Sequence, residues 1–541
     1  MTAERLTLYD TTLRDGQQTQ GVQFSPDEKL KVAAALDELG LDYIEAGWPG
    51  ANPTDSEFFA RMPQTSHSRI TAFGMTKRTG RSASNDELLA EVMNAGTRSV
   101  CLVGKSHDFH VTNALRVSLA ENLENIALSV KHLVENGFEA LFDAEHFFDG
   151  YRSNRGYALE CVIAAFEAGA RWIVLCDTNG GTLPPVVGDV TADVIDAGIP
   201  GERVGIHTHD DTGTAVAGAL AAVDSGARQI QGTLNGLGER CGNANFMTII
   251  PTLLLKEPYK SKYVTNVSAC GLSKLTRVSR LLDDILNRVP DKSAPYVGSS
   301  AFVHKAGLHA SAVARDPSTY EHVDPGEVGN QRVIPMSNQA GKSNLVARLD
   351  EAGIAVSRGD SRLSQIIEVV KRRESKGYSY DTAQASFELL ARRILGKMPK
   401  YFSVEAFKVT VERTMQEDVG SSTNSLGEAV IDIAGERRKS VSDGTDGREV
   451  DNGPVHALAR AVHKDLGCYQ SYIDDMRLVD FKVRITSGGT EAVTRVIIDS
   501  EDRNGKRWST VGVSPNIINA SLEALVDAIN WKLIRDRAPP P

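Results

Sequence analysis

Short apolar runs alternate with helical patterns from residue 5 to about residue 255. Each run is a candidate strand, and enough residues for one helix separate it from the next. The runs are residues 6–10, 43–47, 70–74, 99–103, 140–145, 172–177, 204–207 and 229–232. Alternation over about 250 residues is typical of a (β/α)8 TIM barrel, with an open doubly wound sheet as the alternative. Because eight units fit a closed barrel, we predict an α/β fold whose barrel occupies residues 1–265.

One helix in this region carries a full set of end signals. Ser25 can cap its N-terminus, Pro26 suits the first helical position, and Glu28 completes a capping box. Apolar residues then recur at helical spacing until Gly40, which can end the helix. We therefore predict a helix between Ser25 and Gly40.

The pattern changes twice in the second half of the chain. Residues 266–399 are rich in helical patterns, including a helical pair over 361–395. From residue 400 two similar halves follow, each with two strands and then a helix; the strands are 407–411, 429–433, 481–485 and 495–499. This is a weak internal repeat. We predict a helical linker subdomain at 266–399 and an α+β domain at 400–541, with a polar loop over 437–451.

The composition excludes several classes of protein. The chain has 541 residues, 41% hydrophobic and 24% charged, with a net charge of −10 and a pI near 5.7. An acidic chain has little attraction for nucleic acid or for an anionic membrane surface. The six cysteines are scattered without a C-x-x-C pair, which indicates reduced thiols. With no signal-peptide pattern and no long apolar run, we expect a cytoplasmic protein.

Polar and charged side chains accumulate where the predicted strands end. They are Arg14, Asp15, Glu45, Glu145, Asp177, Thr178, Asn179, His207, His209, Asp210, Asp211 and Asn235. Active sites of (β/α)8 barrels lie at the carboxyl ends of the strands. We therefore expect these side chains to meet at one mouth of the barrel.

The segment His207-Thr208-His209 predicts a metal site. Residues i and i+2 of a strand point to the same face, so the two imidazoles can share one ion. Asp15 follows the first strand, which is the neighbour of the eighth in a closed barrel. A carboxylate with two imidazoles suits Mn²⁺, Zn²⁺, Mg²⁺ or Fe²⁺, whereas an isolated H-x-H pair could equally be two hydrogen-bonded histidines. The permanent charge of Arg14 could stabilise a developing enolate or alkoxide.

Three segments together resemble the hallmark motifs of one enzyme family. They are residues 10–16 (DTTLRDG), 207–211 (HTHDD) and 236–244 (GLGERCGNA). In this order they resemble the 2-isopropylmalate, homocitrate and citramalate synthases, and the resemblance extends through the whole chain. It implies a divalent cation (Mn, Mg, Zn or Co, not distinguished) held by Asp15, His207, His209 and Asn243.

The same resemblance implies roles for other residues. Arg14 would polarise the keto group, and Glu145 and Thr178 would lie near the keto acid and the acetyl group. His304 resembles a family histidine that reaches across a homodimer into the partner's barrel, and we expect Glu145 and His304 to share the acid–base work. From the residues alone, Glu145 could be an ion-paired side chain, Thr178 a strand-end residue and His304 a surface histidine.

The chemistry implied is a Claisen condensation of acetyl-CoA with a 2-oxo acid, completed by hydrolysis of the thioester. Residues 266–399 would complete the active site of the dimer partner. Residues 400–541 would form a regulatory and dimerisation domain with an amino-acid feedback site. In this family the effector is isoleucine for the citramalate branch and leucine for the isopropylmalate branch.

Local sequence favours pyruvate as the 2-oxo acid. Trp48 after the second strand resembles the citramalate branch. The bulky side chains of Trp48, Phe147 and Phe148 could narrow the pocket, and they could equally be plain core aromatics. Gln17 stands where many relatives have Glu. The expected product is (R)-citramalate, on a pyruvate route to isoleucine; a 2-isopropylmalate synthase acting on 2-oxoisovalerate is the first alternative. An acyl-CoA lyase of the same barrel superfamily is the alternative from another class.

Overall fold

The computed structural model describes all residues except 1–2, 305–306, 314, 334–341, 358, 417–419, 443–452 and 487–491. The chain divides into two compact units. The first comprises Met1–Phe302 and Val323–Gln331, and the second Val303–His322 and Arg332–Pro541.

The first unit contains a closed barrel of eight parallel strands joined in sequence order. The strands are β1 Thr7–Asp10, β2 Tyr43–Gly47, β3 Arg69–Met75, β4 Ser99–Lys105, β5 Glu139–Glu145, β6 Trp172–Asp177, β7 Val204–Thr208 and β8 Gln229–Gly232. β8 pairs with β1 from Thr7↔Gln229 to Asp10↔Gly232, which closes the barrel. The prediction of a (β/α)8 barrel is confirmed, and each predicted run matches its strand to within two residues.

Helices surround the barrel. The main helices of this unit are α1 Pro26–Leu39, α2 Pro53–Ala60, α3 Glu87–Met93, α4 Leu119–Glu135, α5 Phe147–Ser153, α6 Arg155–Glu167, α7 Pro184–Asp196, α8 Ala215–Asp224, α9 Phe246–Leu255 and α10 Leu275–Ile285. The ends of α1 are as predicted: the Ser25 hydroxyl accepts from the Glu28 amide, and the Glu28 carboxylate accepts from the Ser25 amide. Gly40 ends the helix with φ of 91°, a conformation that glycine adopts without a steric penalty.

The apolar core of this unit lies in two places. The barrel interior is filled by a cluster of Tyr9, Tyr43, Phe73, Cys101, Leu141, Trp172, Val174 and Cys176. A larger cluster fills the space between the strands and the helices. The interior of the barrel is therefore packed, and a cavity can form only at its ends.

The second unit begins with helices and continues with two three-stranded antiparallel sheets. The main helices are α11 Gly307–Val313, α12 Lys342–Glu351, α13 Arg362–Glu374, α14 Gln384–Ile394, α15 Pro454–His463 and α16 Ile517–Arg535. The strands are β9 Ser403–Gln416, β10 Gly420–Ile433 and β11 Glu436–Ser442 in one sheet, and β12 Arg477–Ile485, β13 Thr494–Glu501 and β14 Arg507–Ser514 in the other. Helices α13 and α14 confirm the predicted helical pair, and each half repeats the order β-β-β-α.

The third strand of each half was missing from the prediction. Residues 437–442, expected in a loop, belong to β11, and the remainder of the predicted loop from residue 443 lies outside the described residues. β11 pairs with β10 through a two-residue turn at Ala434 and Gly435, both with positive φ, as in the turns that suit hairpins. As an edge strand with charged side chains, β11 has no apolar alternation that would have indicated it.

No helix in the described part of the chain combines the length and apolarity that a membrane span requires.

Candidate active site

Side chains from the carboxyl ends of the barrel strands line one cavity of about 390 Å³. Its walls include Arg14, Asp15, Gln17, Trp48, Phe73, Val103, Asp143, Glu145, Cys176, Thr178, His207, His209 and Glu239. Six of the twelve strand-end residues expected at one mouth line this cavity: Arg14, Asp15, Glu145, Thr178, His207 and His209. The residues come from positions far apart in the sequence because consecutive parallel strands end on the same side of a barrel.

Asp15, His207 and His209 form the centre of this cavity. Asp15 Oδ2 lies 3.1 Å from His207 Nε2 and 3.9 Å from His209 Nε2, and the two Nε2 atoms are 3.2 Å apart. Asn243 Nδ2 lies 2.7 Å from Asp15 Oδ2 and 3.2 Å from His207 Nε2. All four residues are buried. The sequence prediction that these four side chains share one site agrees with this geometry.

The charges in this cluster are strongly coupled. Burial opposes ionisation of Asp15, but Arg14 and His207 hold the pKa of its carboxyl well below the usual range. Burial, followed by the charge of His207, lowers the pKa of His209 to about 3. The site therefore favours one carboxylate facing at least one neutral imidazole, the form in which both groups can bind a metal.

The donor set fits a divalent cation. One carboxylate oxygen and two imidazole nitrogens lie within 4.8 Å of one another, a combination of hard and borderline ligands that Mn²⁺, Fe²⁺, Co²⁺ and Zn²⁺ accept. Asn243 Oδ1 is buried without a hydrogen-bond partner among the described residues, and a half-turn of the amide would aim it at the cluster. A Cβ on Gly238 would collide with this oxygen, so a larger residue there would displace the Asn243 amide.

Arg14 is held against the cluster by three neighbours. Its Nε donates to Glu45 Oε2 at 2.5 Å, and its Nη1 lies 3.4 Å from Asp15 Oδ1. Its guanidinium carbon is 4.0 Å from the centroid of the Phe73 ring. Although burial disfavours its charge, Glu45 and Asp15 raise the pKa of Arg14. A fixed cation therefore lies beside the candidate metal ligands.

Glu145 and Thr178 lie on the cavity wall next to each other. Glu145 Oε2 is 2.5 Å from Lys105 Nζ, so the interpretation of Glu145 as an ion-paired side chain is correct as to contact. Glu145 lines the cavity, and Lys105 lines a second cavity of about 190 Å³ that Glu145 also borders. The Thr178 hydroxyl accepts from the backbone amide of His146 at 2.8 Å. His146 has φ of 58°, which is uncommon for a residue with a side chain. Thr178 thus fixes the strained backbone that follows Glu145.

His304 belongs to the second unit, where it is half-buried. Its Nε2 lies 3.0 Å from Glu321 Oε1. The Glu321 carboxylate is also bound by Arg332 Nε and Nη2 at 2.6 and 2.5 Å. Burial opposes this charge, but Arg332 and His304 lower the pKa of Glu321. The histidine is therefore oriented by a charged pair, and its reach into a partner's barrel stays a prediction.

Of the three aromatic residues that could be either pocket walls or core residues, Trp48 lines the cavity and the other two do not. Phe147 and Phe148 are buried at 0% and 5% exposure in the core between strands and helices, because α5 begins directly after β5 and turns both rings inward. Phe73 also lines the cavity and makes an edge-to-face contact with Trp48, with the ring centroids 5.8 Å apart. Phe73 was not among the residues predicted to line the site.

Two buried polar residues below the metal cluster were also missed. Asp143 on β5 and Gln231 on β8 are 3% and 1% exposed. Burial raises the pKa of Asp143, although His207 and Arg14 oppose this effect. The signal that could have found them is a polar side chain at an inward position of a buried strand, two residues from Glu145 in the first case and from Gln229 in the second.

Comparisons with known proteins identify the family of the chain. Residues 5–281 match the HMGL-like family model, 296–377 the model of the homocitrate synthase post-HMGL domain, and 381–533 that of the LeuA allosteric (dimerisation) domain. The chain is 44% identical over 538 residues to an (R)-citramalate synthase of Synechocystis sp., covering 98% of this chain and 96% of the relative.

Two further relatives span nearly the full length. An (R)-citramalate synthase of Aquifex aeolicus is 44% identical over 539 residues, covering 99% of each chain. A probable 2-isopropylmalate synthase of Methanopyrus kandleri is 31% identical over 552 residues, also covering 99% of each. The catalytic barrel, the connecting segment and the C-terminal domain thus occur together in these relatives. The chain belongs to the (R)-citramalate synthase family.

Proposed function

We propose that this chain condenses acetyl-CoA with pyruvate and hydrolyses the thioester to release (R)-citramalate and CoA, the first step of a pyruvate route to isoleucine. The observation that carries this proposal is the buried Asp15–His207–His209 cluster with Arg14 beside it, in a chain 44% identical to full-length (R)-citramalate synthases. The reaction makes a carbon–carbon bond between an acetyl methyl carbon and a keto carbon.

The four candidate ligands would hold a divalent cation, which when bound would act as a Lewis acid on a 2-oxo acid. The ligands proposed are Asp15, His207, His209 and Asn243. The identity of the metal is left to experiment, since this donor set accepts several divalent cations.

Arg14 stabilises the negative charge that develops on the keto oxygen. Its guanidinium is fixed by Glu45 and by the Phe73 ring, so no reorganisation is needed as the charge appears. Pre-positioned charges of this kind act strongly in a site from which water is excluded. Thr178 assists by holding the backbone beside the substrate cavity.

Glu145 removes a proton from the acetyl methyl group, and His304 from a second copy of the chain shares the acid–base work. The Lys105 ammonium, 2.5 Å from Glu145 Oε2, keeps the carboxylate in place at the cavity wall. The Glu321 carboxylate orients the His304 ring. A base must reach the proton it abstracts, so both residues act only when acetyl-CoA is bound next to the keto acid.

Pyruvate suits the cavity because its walls near Arg14 are bulky. Trp48, Phe73 and Val103 leave room for a methyl group in preference to an isopropyl group. Each additional methylene that must be rejected is worth about 1–3 kcal/mol. The relative named as a 2-isopropylmalate synthase, at 31% identity, makes 2-oxoisovalerate the substrate to exclude first.

The test is an assay of free CoA released from acetyl-CoA. Pyruvate, 2-oxoisovalerate, 2-oxobutyrate and 2-oxoglutarate are compared, each with and without added Mn²⁺ after chelation. We expect pyruvate to give the highest kcat/KM, with turnover dependent on the metal. Higher turnover of 2-oxoisovalerate would contradict the pyruvate assignment, and cleavage of an acyl-CoA without a 2-oxo acid would indicate a lyase.

The enzyme works as a homodimer. The outer strand β12 exposes four apolar side chains, Leu478, Val479, Val483 and Ile485. An edge strand with exposed apolar residues is a surface that pairs with another chain. The match to the LeuA allosteric (dimerisation) domain supports the same conclusion. Residues 1–265 form the catalytic barrel, 266–399 the linker that completes the partner's site, and 400–541 the regulatory domain.

The regulatory domain binds isoleucine as a feedback effector. A cleft of about 940 Å³ lies between α15 and the start of β12. Its apolar wall includes Val455, Met476 and Phe481, and its polar wall includes Arg460 and Asp474. An α-amino acid has the matching carboxylate, ammonium and apolar groups. Calorimetric titration with isoleucine and leucine tests this assignment, with Asp474→Asn expected to weaken the binding of either one.

The enzyme acts in the cytoplasm. All six cysteines are free thiols, three of them buried and three exposed. Exposed thiols stay reduced in the cytoplasm and oxidise readily outside it. Fractionation with detection of the native chain is the direct test.

A further inference from the structure

The two histidines of the metal cluster differ in what their second ring nitrogen contacts. His207 Nδ1 lies 2.7 Å from Gln231 Oε1. His209 Nδ1 is buried without a hydrogen-bond partner among the described residues. Of the two histidines, therefore, His207 has a buried polar side chain in contact with its Nδ1 atom, and His209 does not.

Gln231 is itself held in one orientation. Its Nε2 donates to Asp143 Oδ1 at 3.0 Å, and both residues are almost completely buried. If the amide were turned by half a turn, its oxygen would face the Asp143 carboxylate oxygen, and two acceptors would be in contact. The Asp143 carboxylate therefore keeps the amide oxygen of Gln231 towards His207.

An amide oxygen only accepts hydrogen bonds, so the proton of a neutral His207 must be on Nδ1. Its Nε2 then carries a lone pair directed at Asp15, His209 and Asn243. A histidine ligand must present an unprotonated nitrogen, and the partner of its other nitrogen fixes which one that is.

We infer that Gln231 and Asp143 are positioning residues, which set the tautomer of His207 and thereby the affinity of the cluster for a divalent cation. The inference rests on the proposed metal-dependent function. It concerns the chain's own hydrogen bonds and is tested by metal binding, independently of turnover.

The chain offers a matched control on the same strand. Gln229 lies two residues before Gln231 on β8, so it faces the same side, and it is fully buried. Neither amide atom of Gln229 has a hydrogen-bond partner among the described residues. Gln229→Leu therefore removes a buried glutamine from the barrel interior without removing a contact to His207.

The experiment measures binding of Mn²⁺ alone to the chelator-treated full-length protein, by the loss of the electron paramagnetic resonance signal of free Mn²⁺. We expect Gln231→Leu to raise the Kd about 10–100-fold, the usual effect of losing the partner of a ligating histidine. Gln229→Leu is expected to leave the Kd within about twofold of wild type, because no ligand loses a partner.

Gln231→Glu keeps an oxygen that can accept from His207 Nδ1, whereas Gln231→Leu only fills the space. The pair of variants therefore distinguishes loss of the hydrogen bond from loss of packing. The introduced carboxyl group can share a proton with Asp143 while its other oxygen accepts from His207 Nδ1, so we expect a Kd within about threefold of wild type. In Asp143→Asn the facing group can donate or accept, so Gln231 can turn and the fraction with the correct tautomer falls to about half, giving a twofold weaker Kd.

The outcomes decide the inference. A wild-type Kd in folded Gln231→Leu protein overturns it, as does an equal loss in Gln231→Leu and Gln231→Glu. If Gln231→Leu does not fold by circular dichroism, Gln231→Met replaces it, since methionine fills a similar volume without an amide oxygen, and a wild-type Kd in Gln231→Met then overturns the inference. Wild-type protein that binds no Mn²⁺ overturns both the cation site and this inference. Normal Mn²⁺ binding without citramalate synthesis overturns only the proposed function.

Discussion

The mouth of the barrel buries charged side chains, whereas β12, the outer strand of the second sheet, exposes apolar ones. At the mouth, Asp15, Arg14 and Glu45 are buried charges, and each lies within 3.4 Å of a charged partner. On β12, Val483 and Ile485 are apolar side chains with 44% and 65% exposure. Buried charge must be compensated within the chain, whereas exposed apolar surface can be compensated by a second chain. The buried charges of Arg14, Asp15 and Glu45 are balanced within one copy of the chain, whereas the exposed apolar face of β12 requires a partner.

The largest expected effect is at the barrel mouth. His207→Ala removes the Nε2 atom proposed as a metal ligand. We therefore expect metal-dependent CoA release to fall by about 10³-fold or more. His67→Ala, an exposed histidine before β3, should leave activity unchanged. Both variants should melt cooperatively in circular dichroism. Activity above a hundredth of wild type in His207→Ala would remove this residue from the ligand set.

The second effect concerns a buried charge that supports the mouth. Lys29 on α1 is fully buried, and its Nζ donates to the Leu13 and Ala46 carbonyls at 2.8 and 3.0 Å and to the Asp55 carboxylate. Lys29→Met leaves Asp55 buried without its cation, so the free energy of unfolding should fall by about 3–5 kcal/mol. Denaturant titration measures it. Lys31→Met, on the exposed face of the same helix, should change it by less than about 0.5 kcal/mol.

The third effect concerns the shape of the keto-acid pocket. Trp48→Ala removes a wall beside Phe73, so kcat/KM for 2-oxoisovalerate relative to pyruvate should rise about 10–100-fold. The ratio is measured in the same CoA-release assay. Phe147→Leu, a change in the core behind the cavity, should leave the ratio unchanged even if stability decreases. An equal change in both variants would mean that the pocket responds to packing in general.

The smallest expected effect is on the exposed strand. Ile485→Asp introduces a charge into the surface proposed for pairing, so the dimer should dissociate at least about tenfold more readily, which is 1.4 kcal/mol. Sedimentation at several concentrations measures the equilibrium. His207→Ala should sediment as wild type, because the contacts of His207 with Asp15, His209, Gln231 and Asn243 lie within one copy and far in sequence from β12. A change at Ile485 without any effect on assembly would place the interface elsewhere.

Local sequence was sufficient wherever a short pattern fixes a short structure. The Ser25–Glu28 capping box and the eight barrel strands are found where the prediction put them, and the H-x-H pair spans the end of β7, with His207 in the strand and His209 just after it. Of the two missed third strands, β11 is an edge strand with charged side chains and no apolar alternation to indicate it. For Phe147 and Phe148 the alternatives of pocket wall and core stayed open, because sequence does not show which way a ring turns as a strand passes into a helix; the structure puts both in the core.

The sequence by itself determined the barrel, the candidate ligands and the family, because these depend on periodicity and on motifs within a few residues. Only the tertiary structure joined Asp143, Gln231 and His207 by hydrogen bonds. Gln231 on β8 is 88 residues from Asp143 on β5 and 24 residues from His207 on β7. The same holds for Arg14 between Glu45 and Phe73. Hydrogen bonds and ring contacts depend on distances of a few ångströms between strands, and those distances are set by closure of the barrel.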